Sequence, residues 1–215
     1  MDIRSVVSEN RVLAIMRNVP FEKTLDYAEM TVNGGISFFE VALNSGRALE
    51  QISLLREKMG DQCIIGAGTA ITVEKADAAV KAGAQFLLTP GTPEDVLVFC
   101  AERKIPLLPG VMTPSDVAVC LKYGFDTMKL FPAGSMPQRY VRDLKGPFDN
   151  TEYVAIGGVD RNNITDFLGQ GYLGAGLASA LVPKDIVREG RWAEGSEMIR
   201  TLVEKVRAWQ EGAQE

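Results

Sequence analysis

A short pattern recurs along this 215-residue chain and restricts the folds open to it: a helical stretch ends at glycine, and an apolar strand follows at once. The pattern occurs in VNGGISFFEV, KAGAQFLLTP, KYGFDTMKLF and GQGYLGAG. Glycine at these points suits the left-handed residue that closes many α-helices. Helix starts are marked as well, because TPED (92–95) and TPSD (113–116) place threonine at the cap, proline at the first helical position and aspartate three residues after the cap.

Eight segments are predicted strands, and predicted helices separate most of them. The strands cover 12–16, 36–43, 63–67, 85–89, 106–109, 125–131, 152–157 and 172–176. Strands that alternate with helices form parallel sheets. Eight such units predict an α/β fold, a single (β/α)8 TIM barrel with parallel strands that spans 1–215 as one domain. A doubly wound open sheet is the alternative, although no G-x-G-x-x-G motif follows the first strand.

One lysine stands in a segment that otherwise reads as a buried strand, FDTMKLF (125–131). Alternate residues of a barrel strand face inward. Met128 and Leu130 suit the helix-facing exterior, so Lys129 is predicted to point into the barrel near the C-terminal end of its strand. Catalytic groups of barrel enzymes lie at that end, and lysine is rarely buried without a partner or a function.

Polar residues on three other strands are predicted to face the same region. In ISFFEVALNS, alternation turns Glu40 and Asn44 inward. Arg17 ends the first strand on the face of its inward residues. In CIIGAGT one face is shared by Ile65, Ala67 and Thr69. We therefore expect Glu40, Arg17 and Thr69 to converge on Lys129.

Each of these residues also has a structural interpretation. A buried Lys–Glu pair could serve stability alone, but desolvating both charges makes such a pair a poor source of stability. Barrel interiors are normally filled with aliphatic layers, which favours a functional role for Lys129 and Glu40. Arg17 could equally lie on the surface beyond its strand, and Thr69 could cap the loop or helix near residue 72.

Glycines cluster after the last two predicted strands, at Gly157-Gly158 and in GAGLAS (174–179). Glycine lets backbone N–H groups approach an oxyanion closely, and the loops after these strands of a barrel commonly hold phosphate. Turn geometry alone is the other interpretation. Their joint position favours a phosphate site.

The chain contains no histidine, which removes Ser-His-Asp and Cys-His nucleophile arrangements and the usual transition-metal ligand. We predict no metal and no cofactor. A net charge of −5 argues against a nucleic-acid partner, and no apolar run approaches the roughly 18 residues of a membrane helix. Three cysteines without C-x-x-C spacing, and a start that lacks the features of a signal peptide, predict a cytoplasmic protein.

An inward lysine beside a glutamate suits Schiff-base chemistry. A neutral amine attacks a ketone, and the protonated imine then withdraws electrons from the neighbouring carbon, so that a bond to that carbon can break. Burial and a nearby cation such as Arg17 would lower the pKa of the Lys129 amine, and Glu40 would move protons. The residues therefore predict a Schiff-base lyase that acts on an anionic keto compound.

Several segments run in an order that resembles one known family. They are FFEVALNS, IIGAGTAIT, GAQFLLTPG, PLLPGVMTPSDV, MKLFPA, IGGV and LASALVP. The chain resembles the 2-keto-3-deoxy-6-phosphogluconate (KDPG) / 4-hydroxy-2-oxoglutarate (KHG) aldolases and the similar 2-keto-3-deoxy-6-phosphogalactonate aldolases. The resemblance implies a homotrimeric barrel that reversibly cleaves a keto acid to pyruvate plus a phosphorylated aldehyde, glyceraldehyde 3-phosphate, or plus glyoxylate.

The resemblance also implies roles for particular residues. Lys129 matches the Schiff-base lysine and Glu40 the acid/base glutamate. Positions near the keto acid are matched by Thr69, Pro90 and Phe131, and the backbone phosphate cradle by Gly157, Gly158 and Ser179.

Three positions depart from the gluconate branch of the family, which usually carries Arg where this chain has Asn44, Thr where it has Ile156 and Gly where it has Ala178. Asn44 and Ile156, with Arg17, look closer to the galactonate branch, whereas the tail LVPKDIV looks closer to the gluconate branch, so the C4 epimer stays open. Our hypothesis is that Arg17 replaces the missing hydroxyl at 156 as a donor to the pyruvate carboxylate.

Two other functions stay open at this point. A metal-independent phosphosugar isomerase or epimerase would use Glu40 to abstract a proton and Lys129 only as a charge. A non-catalytic barrel that binds sugar phosphates would keep Lys129 as an anion contact. The barrel alone does not separate them, because it hosts many functions.

Overall fold

A computed structural model describes residues 1–212 and closes their strands into a barrel. The strands are β1 (Val12–Met16), β2 (Phe38–Ala42), β3 (Ile64–Gly68), β4 (Leu87–Leu88), β5 (Leu107–Leu108), β6 (Gly110–Val111), β7 (Thr127–Leu130), β8 (Glu152–Ile156) and β9 (Gly174–Leu177). Their order in the sheet is β5-β4-β3-β2-β1-β9-β8-β7-β6, and the pairings in the described chain are parallel. The predicted (β/α)8 barrel is confirmed; β1 has the predicted bounds, and the other strands are shorter or shifted.

The ring closes through one interrupted strand. The segment predicted as a single strand over 106–109 is divided into β5 and β6 at Pro109, which has no N–H to donate to a sheet. β5 pairs with β4, and β6 pairs with β7. The Pro109 carbonyl accepts a hydrogen bond from the backbone N–H of Lys129 at 2.9 Å. The two edges of the sheet are therefore joined by residues 107–111, which excludes the open doubly wound sheet.

Helices follow most strands. They are α1 (Ile3–Asn10), α2 (Thr24–Asn33), α3 (Ala48–Met59), α4 (Val73–Lys81), α5 (Glu94–Arg103), α6 (Pro114–Lys122), α7 (Tyr140–Lys145), α8 (Ile164–Gly169), α9 (Lys184–Glu189) and α10 (Trp192–Gly212), with short 3-10 turns at Phe21–Lys23 and Ala133–Ser135. Among the described residues, no helix is long and apolar enough to cross a membrane.

The two predicted helix starts differ. Thr113 caps α6 as predicted: its hydroxyl accepts from the Asp116 N–H, and the Asp116 carboxylate accepts from the Thr113 N–H at 2.8 Å. The prediction for Thr92 is wrong, because α5 begins at Glu94 with Pro93 in the cap position. The Thr92 hydroxyl instead donates to the Gly110 carbonyl at 2.8 Å, so it ties the loop after β4 to β6.

Apolar side chains pack in two layers, one between the sheet and the helices and one inside the barrel. The inner layer contains Leu13, Ile15, Phe38, Phe86, Leu88, Leu108, Val154 and Ile156. Val6 and Val7 of α1 pack against this layer, so the helix that precedes β1 closes the N-terminal end of the barrel. The C-terminal end is left for polar groups.

Candidate active site

The residues predicted to form the site lie at or just beyond the C-terminal ends of the parallel strands. Arg17 follows β1; Glu40 lies in β2 and Asn44 in the turn after it; Thr69 follows β3 and Pro90 follows β4; Lys129 lies in β7 and Phe131 follows it; Gly157 and Gly158 follow β8; Ser179 follows β9. Because the strands are parallel, these ends share one face of the barrel.

Lys129 lies inside the barrel with 4% of its surface exposed. Its neighbours Met128 and Leu130 belong to the helix-facing layer, as alternation predicts. The Lys129 Nζ atom lies 5.2 Å from the ring centroid of Phe131. Burial lowers the pKa of Lys129; the charge of Arg17 also lowers this pKa, whereas that of Glu40 raises it. The Lys129 amine therefore loses its proton at a lower pH than the amine of an exposed lysine.

Glu40 has no exposed surface, and neither of its buried carboxylate oxygens accepts a hydrogen bond within the described part of the chain. Burial raises the pKa of Glu40, while the charges of Lys129 and Arg17 lower it. A buried polar atom without a partner costs free energy, and such atoms concentrate at functional sites. The Glu40 carboxyl is thus placed near Lys129 but is free to bond a water molecule or a substrate hydroxyl.

Gly68, at the end of β3, makes room for the Glu40 carboxyl. A Cβ atom added at Gly68 would overlap Glu40 Oε1 and crowd Glu40 Cδ. Sequence reasoning missed this glycine, because its role depends on a residue in the neighbouring strand. The register, in which Ala42 pairs with Gly68, is the signal that could have found it.

Replacing Gly68 by alanine is expected to lower turnover about 10²-fold, because the new methyl group displaces the Glu40 carboxyl by about 1 Å or more. Steady-state turnover with a cleavable keto acid is the measurement. Gly169→Ala is the matched control, since a Cβ added there meets no atom within 4 Å. Equal turnover in Gly68→Ala and Gly169→Ala would contradict the requirement for this space.

Thr69 does not reach the site by simple alternation. The prediction that it shares an inward face with Ile65 and Ala67 is wrong, because both of those residues pack in the helix-facing layer. The inward positions of β3 are Gly66, next to Phe86, and Gly68. Thr69 lies just beyond the strand with φ of 63°, in the left-handed region that β-branched residues rarely adopt. This turn ends the alternation, and Thr69 is half-buried at the barrel mouth.

Arg17 and Asn44 are both exposed on the loops after β1 and β2. These loops are joined where the Asn18 N–H donates to Ser45 Oγ at 2.9 Å. Arg17 is close enough to alter the pKa of both Lys129 and Glu40. Arg17 therefore lies near Lys129 and Glu40, whereas Asn44 lies at the rim of the barrel mouth.

Pro90 is exposed in the loop after β4, and hydrogen bonds of the preceding residue, Thr89, hold this loop in place. The Thr89 hydroxyl donates to the Gly91 carbonyl at 2.6 Å and accepts from the Gly110 N–H at 3.1 Å. A Cβ atom at Gly110 would collide with the backbone of Pro90. Gly110 is thus a second residue that sequence reasoning missed.

The paired glycines after β8 lie against the loop that follows β7. Gly157 and Gly158 have φ of 87° and 82°, a backbone conformation that favours glycine. The Gly134 N–H donates to the Gly157 carbonyl at 2.8 Å, and a Cβ at Gly157 would lie 3.1 Å from the Phe131 ring. The glycines therefore permit close packing of two loops beside the Lys129 strand.

A cavity of about 520 Å³ lies between the loop after β1 and the region of α9; its lining includes Arg17 and not Lys129 or Glu40. Arg17 and Ser179 both line it, so Ser179 lies on the side of the barrel mouth occupied by Arg17. The cavity volume falls within the roughly 300–1,000 Å³ of small-molecule sites.

Comparison with known proteins gives a consistent result. Residues 3–198 match the family model described as KDPG and KHG aldolase. The chain is 31% identical over 204 residues to the 2-dehydro-3-deoxy-phosphogluconate aldolase of Pseudomonas aeruginosa, covering 94% of this chain and 92% of that protein. It is 28% identical over 184 residues to the 2-dehydro-3-deoxy-6-phosphogalactonate aldolase of Escherichia coli, covering 85% and 87%.

The fold is shared with a solved structure of the same kind. The crystal structure of KDPG aldolase from Legionella pneumophila, with pyruvate captured as a covalent carbinolamine intermediate, superposes with a TM-score of 0.87 at 28% identity. The superposition covers 94% of this chain and 98% of the Legionella chain.

Proposed function

Because the chain belongs to the KDPG and KHG aldolase family, whose members are class I, Schiff-base lyases, we propose that it reversibly cleaves a 2-keto-3-deoxy-6-phospho sugar acid of the gluconate or galactonate type, or 4-hydroxy-2-oxoglutarate. The products are pyruvate and an aldehyde, either glyceraldehyde 3-phosphate or glyoxylate. The observation that carries the proposal is the Lys129 amine, 4% exposed inside the barrel, near a Glu40 carboxyl that has no hydrogen-bond partner among residues 1–212.

The first step forms the imine. The neutral Lys129 amine attacks the C2 carbonyl carbon, the π electron pair moves to the carbonyl oxygen, and one proton passes from the nitrogen to this oxygen to give a neutral carbinolamine. Glu40 in its protonated form gives a proton to the carbinolamine hydroxyl, which leaves as water while the nitrogen lone pair forms the iminium. The raised pKa of Glu40 and the lowered pKa of Lys129 support this assignment, because each favours the neutral form that the step requires.

The second step breaks the C3–C4 bond. Glu40, now a carboxylate, takes the proton of the C4 hydroxyl, and the C3–C4 electron pair moves towards the iminium to form an enamine. The aldehyde leaves with C4 as its carbonyl carbon. Glu40 then returns its proton to C3, which regenerates the iminium. Water adds to the iminium carbon and gives one proton to the Glu40 carboxylate, and the C–N bond of the resulting carbinolamine breaks, which releases pyruvate, the neutral Lys129 amine and protonated Glu40.

The remaining residues bind the two ends of the substrate in this proposal. Thr69, Pro90 and Phe131 line the keto-acid pocket, with Asn44 at the rim. Backbone groups of Gly157, Gly158 and Ser179 hold the phosphate. The positive φ of Gly157 and Gly158 supports their part, because glycine adopts it without strain and, lacking a Cβ, lets the backbone N–H groups approach an oxyanion closely.

The proposal extends to the setting of the enzyme. The protein acts as a homotrimer in the cytoplasm, without a metal or cofactor. Residues 1–215 form one domain, of which 213–215 lie outside the described residues.

Release of pyruvate from the two epimeric phosphorylated acids and from 4-hydroxy-2-oxoglutarate tests the function. We expect turnover of at least one of these acids, and the ratio of their kcat/KM values identifies the preferred epimer. Interconversion of sugar phosphates without pyruvate release would favour the isomerase, and ligand-dependent thermal stabilisation without turnover would favour the binding barrel.

Arg17→Ala is expected to weaken pyruvate binding and to move the formation of the pyruvate adduct to higher pH. Removing the Arg17 charge lets the pKa of Lys129 rise towards its ordinary value, so the amine becomes neutral only at higher pH. The measurement is the rate of adduct formation against pH and pyruvate concentration. Arg47→Ala, on an exposed side chain before α3, is the control. An unchanged apparent affinity for pyruvate would rule out the carboxylate contact.

A further inference from the structure

The cavity beside Arg17 carries a charge opposite to that of the whole protein. Its described lining includes four basic side chains, Arg17, Lys23, Lys184 and Arg188, and one acidic side chain, Glu22. The chain as a whole has a net charge of −5. Charges lining a cleft with low-dielectric walls determine which ligands it attracts, whatever the total charge. The cavity therefore suits an anion.

Two of the four cations are already used within the protein. The Lys23 Nζ atom donates to the carbonyl oxygens of Val187 and Arg188, at 2.8 and 2.6 Å, and so fixes α9 against the loop after β1. Arg188 pairs with Glu189 at 2.9 Å. Arg17 and Lys184 remain as the lining cations with neither a hydrogen-bond nor an ion-pair partner among residues 1–212.

The cavity floor is apolar. Val19, Tyr27 and Val182 are buried there. Lys184 is exposed on α9, in the part of the wall formed by the segment that follows Ser179. The cavity thus extends from Arg17, whose charge lowers the pKa of Lys129, past Ser179 to Lys184.

We propose that the end of this cavity beside Lys184 receives the part of the substrate remote from the keto carbon, and that Lys184 is a specificity-determining residue that binds its terminal phosphate. The inference rests on the proposed aldolase function. The Lys184 ammonium group then adds a side-chain contact to the backbone contacts with the phosphate. The enzyme therefore prefers aldehydes that carry a phosphate dianion to uncharged aldehydes.

The test compares D-glyceraldehyde 3-phosphate with D-glyceraldehyde in the addition of pyruvate. The ratio of kcat/KM for the phosphorylated aldehyde to that for the unphosphorylated one is expected to fall about tenfold in Lys184→Met, the loss expected for one charge-assisted contact. Lys184→Arg should restore most of the ratio, because the charge remains. Lys75→Met, an exposed lysine on α4, is the matched control and should leave the ratio unchanged.

A second measurement does not depend on turnover. Glycerol 3-phosphate lacks the carbonyl group and cannot react with Lys129, so calorimetry reports its binding alone. We expect Lys184→Met to bind it about tenfold more weakly than the wild type. Equal binding, or an unchanged kcat/KM ratio, would overturn the role of Lys184 while leaving the aldolase intact. Failure of the wild type to form a pyruvate adduct would instead overturn the proposed function.

Discussion

Lys129→Met is expected to abolish cleavage, lowering kcat/KM by about 10⁴-fold or more, because Lys129 is the one lysine buried inside the barrel among residues 1–212 and methionine cannot form an imine. The lysine is 4% exposed, so methionine, which is of similar length and apolar, can occupy the same space inside the barrel. Pyruvate release from the preferred keto acid is the measurement. Lys129→Arg should be equally inactive, because it keeps the positive charge but a guanidinium does not lose its proton in proteins.

The unfolding midpoint of Lys129→Met separates a chemical loss from a folding loss. Removing the Lys129 charge raises the pKa of Glu40 further, so this carboxyl is held protonated in the folded state. A group whose pKa is raised by folding stabilises the protein below its unfolded pKa, and this stabilisation is lost as pH rises through the folded pKa. We expect the midpoint of the variant to fall with rising pH more steeply than that of the wild type. Cleavage by a folded Lys129→Arg variant would mean that Lys129 acts only as a charge, and wild-type cleavage by a folded Lys129→Met variant would remove Lys129 from the mechanism.

Glu40→Gln is expected to lower turnover by about 10²–10⁴-fold while the protein still forms the pyruvate adduct slowly. The amide cannot give a proton to the carbinolamine or take one from the C4 hydroxyl. The substitution also removes the negative charge that raises the pKa of Lys129, so the Lys129 amine becomes neutral at a lower pH than in the wild type. Single-turnover cleavage and the rate of adduct formation are measured side by side.

Glu152→Gln is the matched control for this variant. Glu152 is the first residue of β8, at the end of the strand away from the proposed site, and its carboxylate pairs with Lys145 at 2.6 Å. We expect its turnover to stay close to that of the wild type. A Glu40→Gln variant with wild-type turnover would show that water alone moves the protons and would remove Glu40 from the mechanism.

The residues that sequence alone placed correctly lie inside regular strands. Lys129 and Glu40 each have apolar neighbours that face the helices, so alternation alone determines their direction.

Alternation does not show which of two uncharged faces points inward. In β3, Ile65 and Ala67 were predicted inward with Thr69. These two residues face the helices instead, and Gly66 and Gly68 face inward. Thr69 lies at the barrel mouth because the strand stops at Gly68 and the backbone turns to a positive φ.

Contacts between distant segments could not be predicted from the local pattern. Gly68 and Gly110 are needed because Glu40 and Pro90 approach them from other strands. Thr92 bonds the Gly110 carbonyl rather than capping α5, a contact that depends on the barrel being closed. Lys184 lies outside the strands, and only the packing of α9 beside the loop after β1 brings it to the cavity.

Trapping the imine tests the central claim most directly. The folded protein is incubated with saturating pyruvate, reduced with borohydride, digested and mapped by mass spectrometry. We expect a reduced pyruvyl group on the peptide that contains Lys129, and no such adduct in Lys129→Met. Folded wild-type protein that carries no adduct, or carries it on another lysine, would contradict the assignment of Lys129 as the Schiff-base residue.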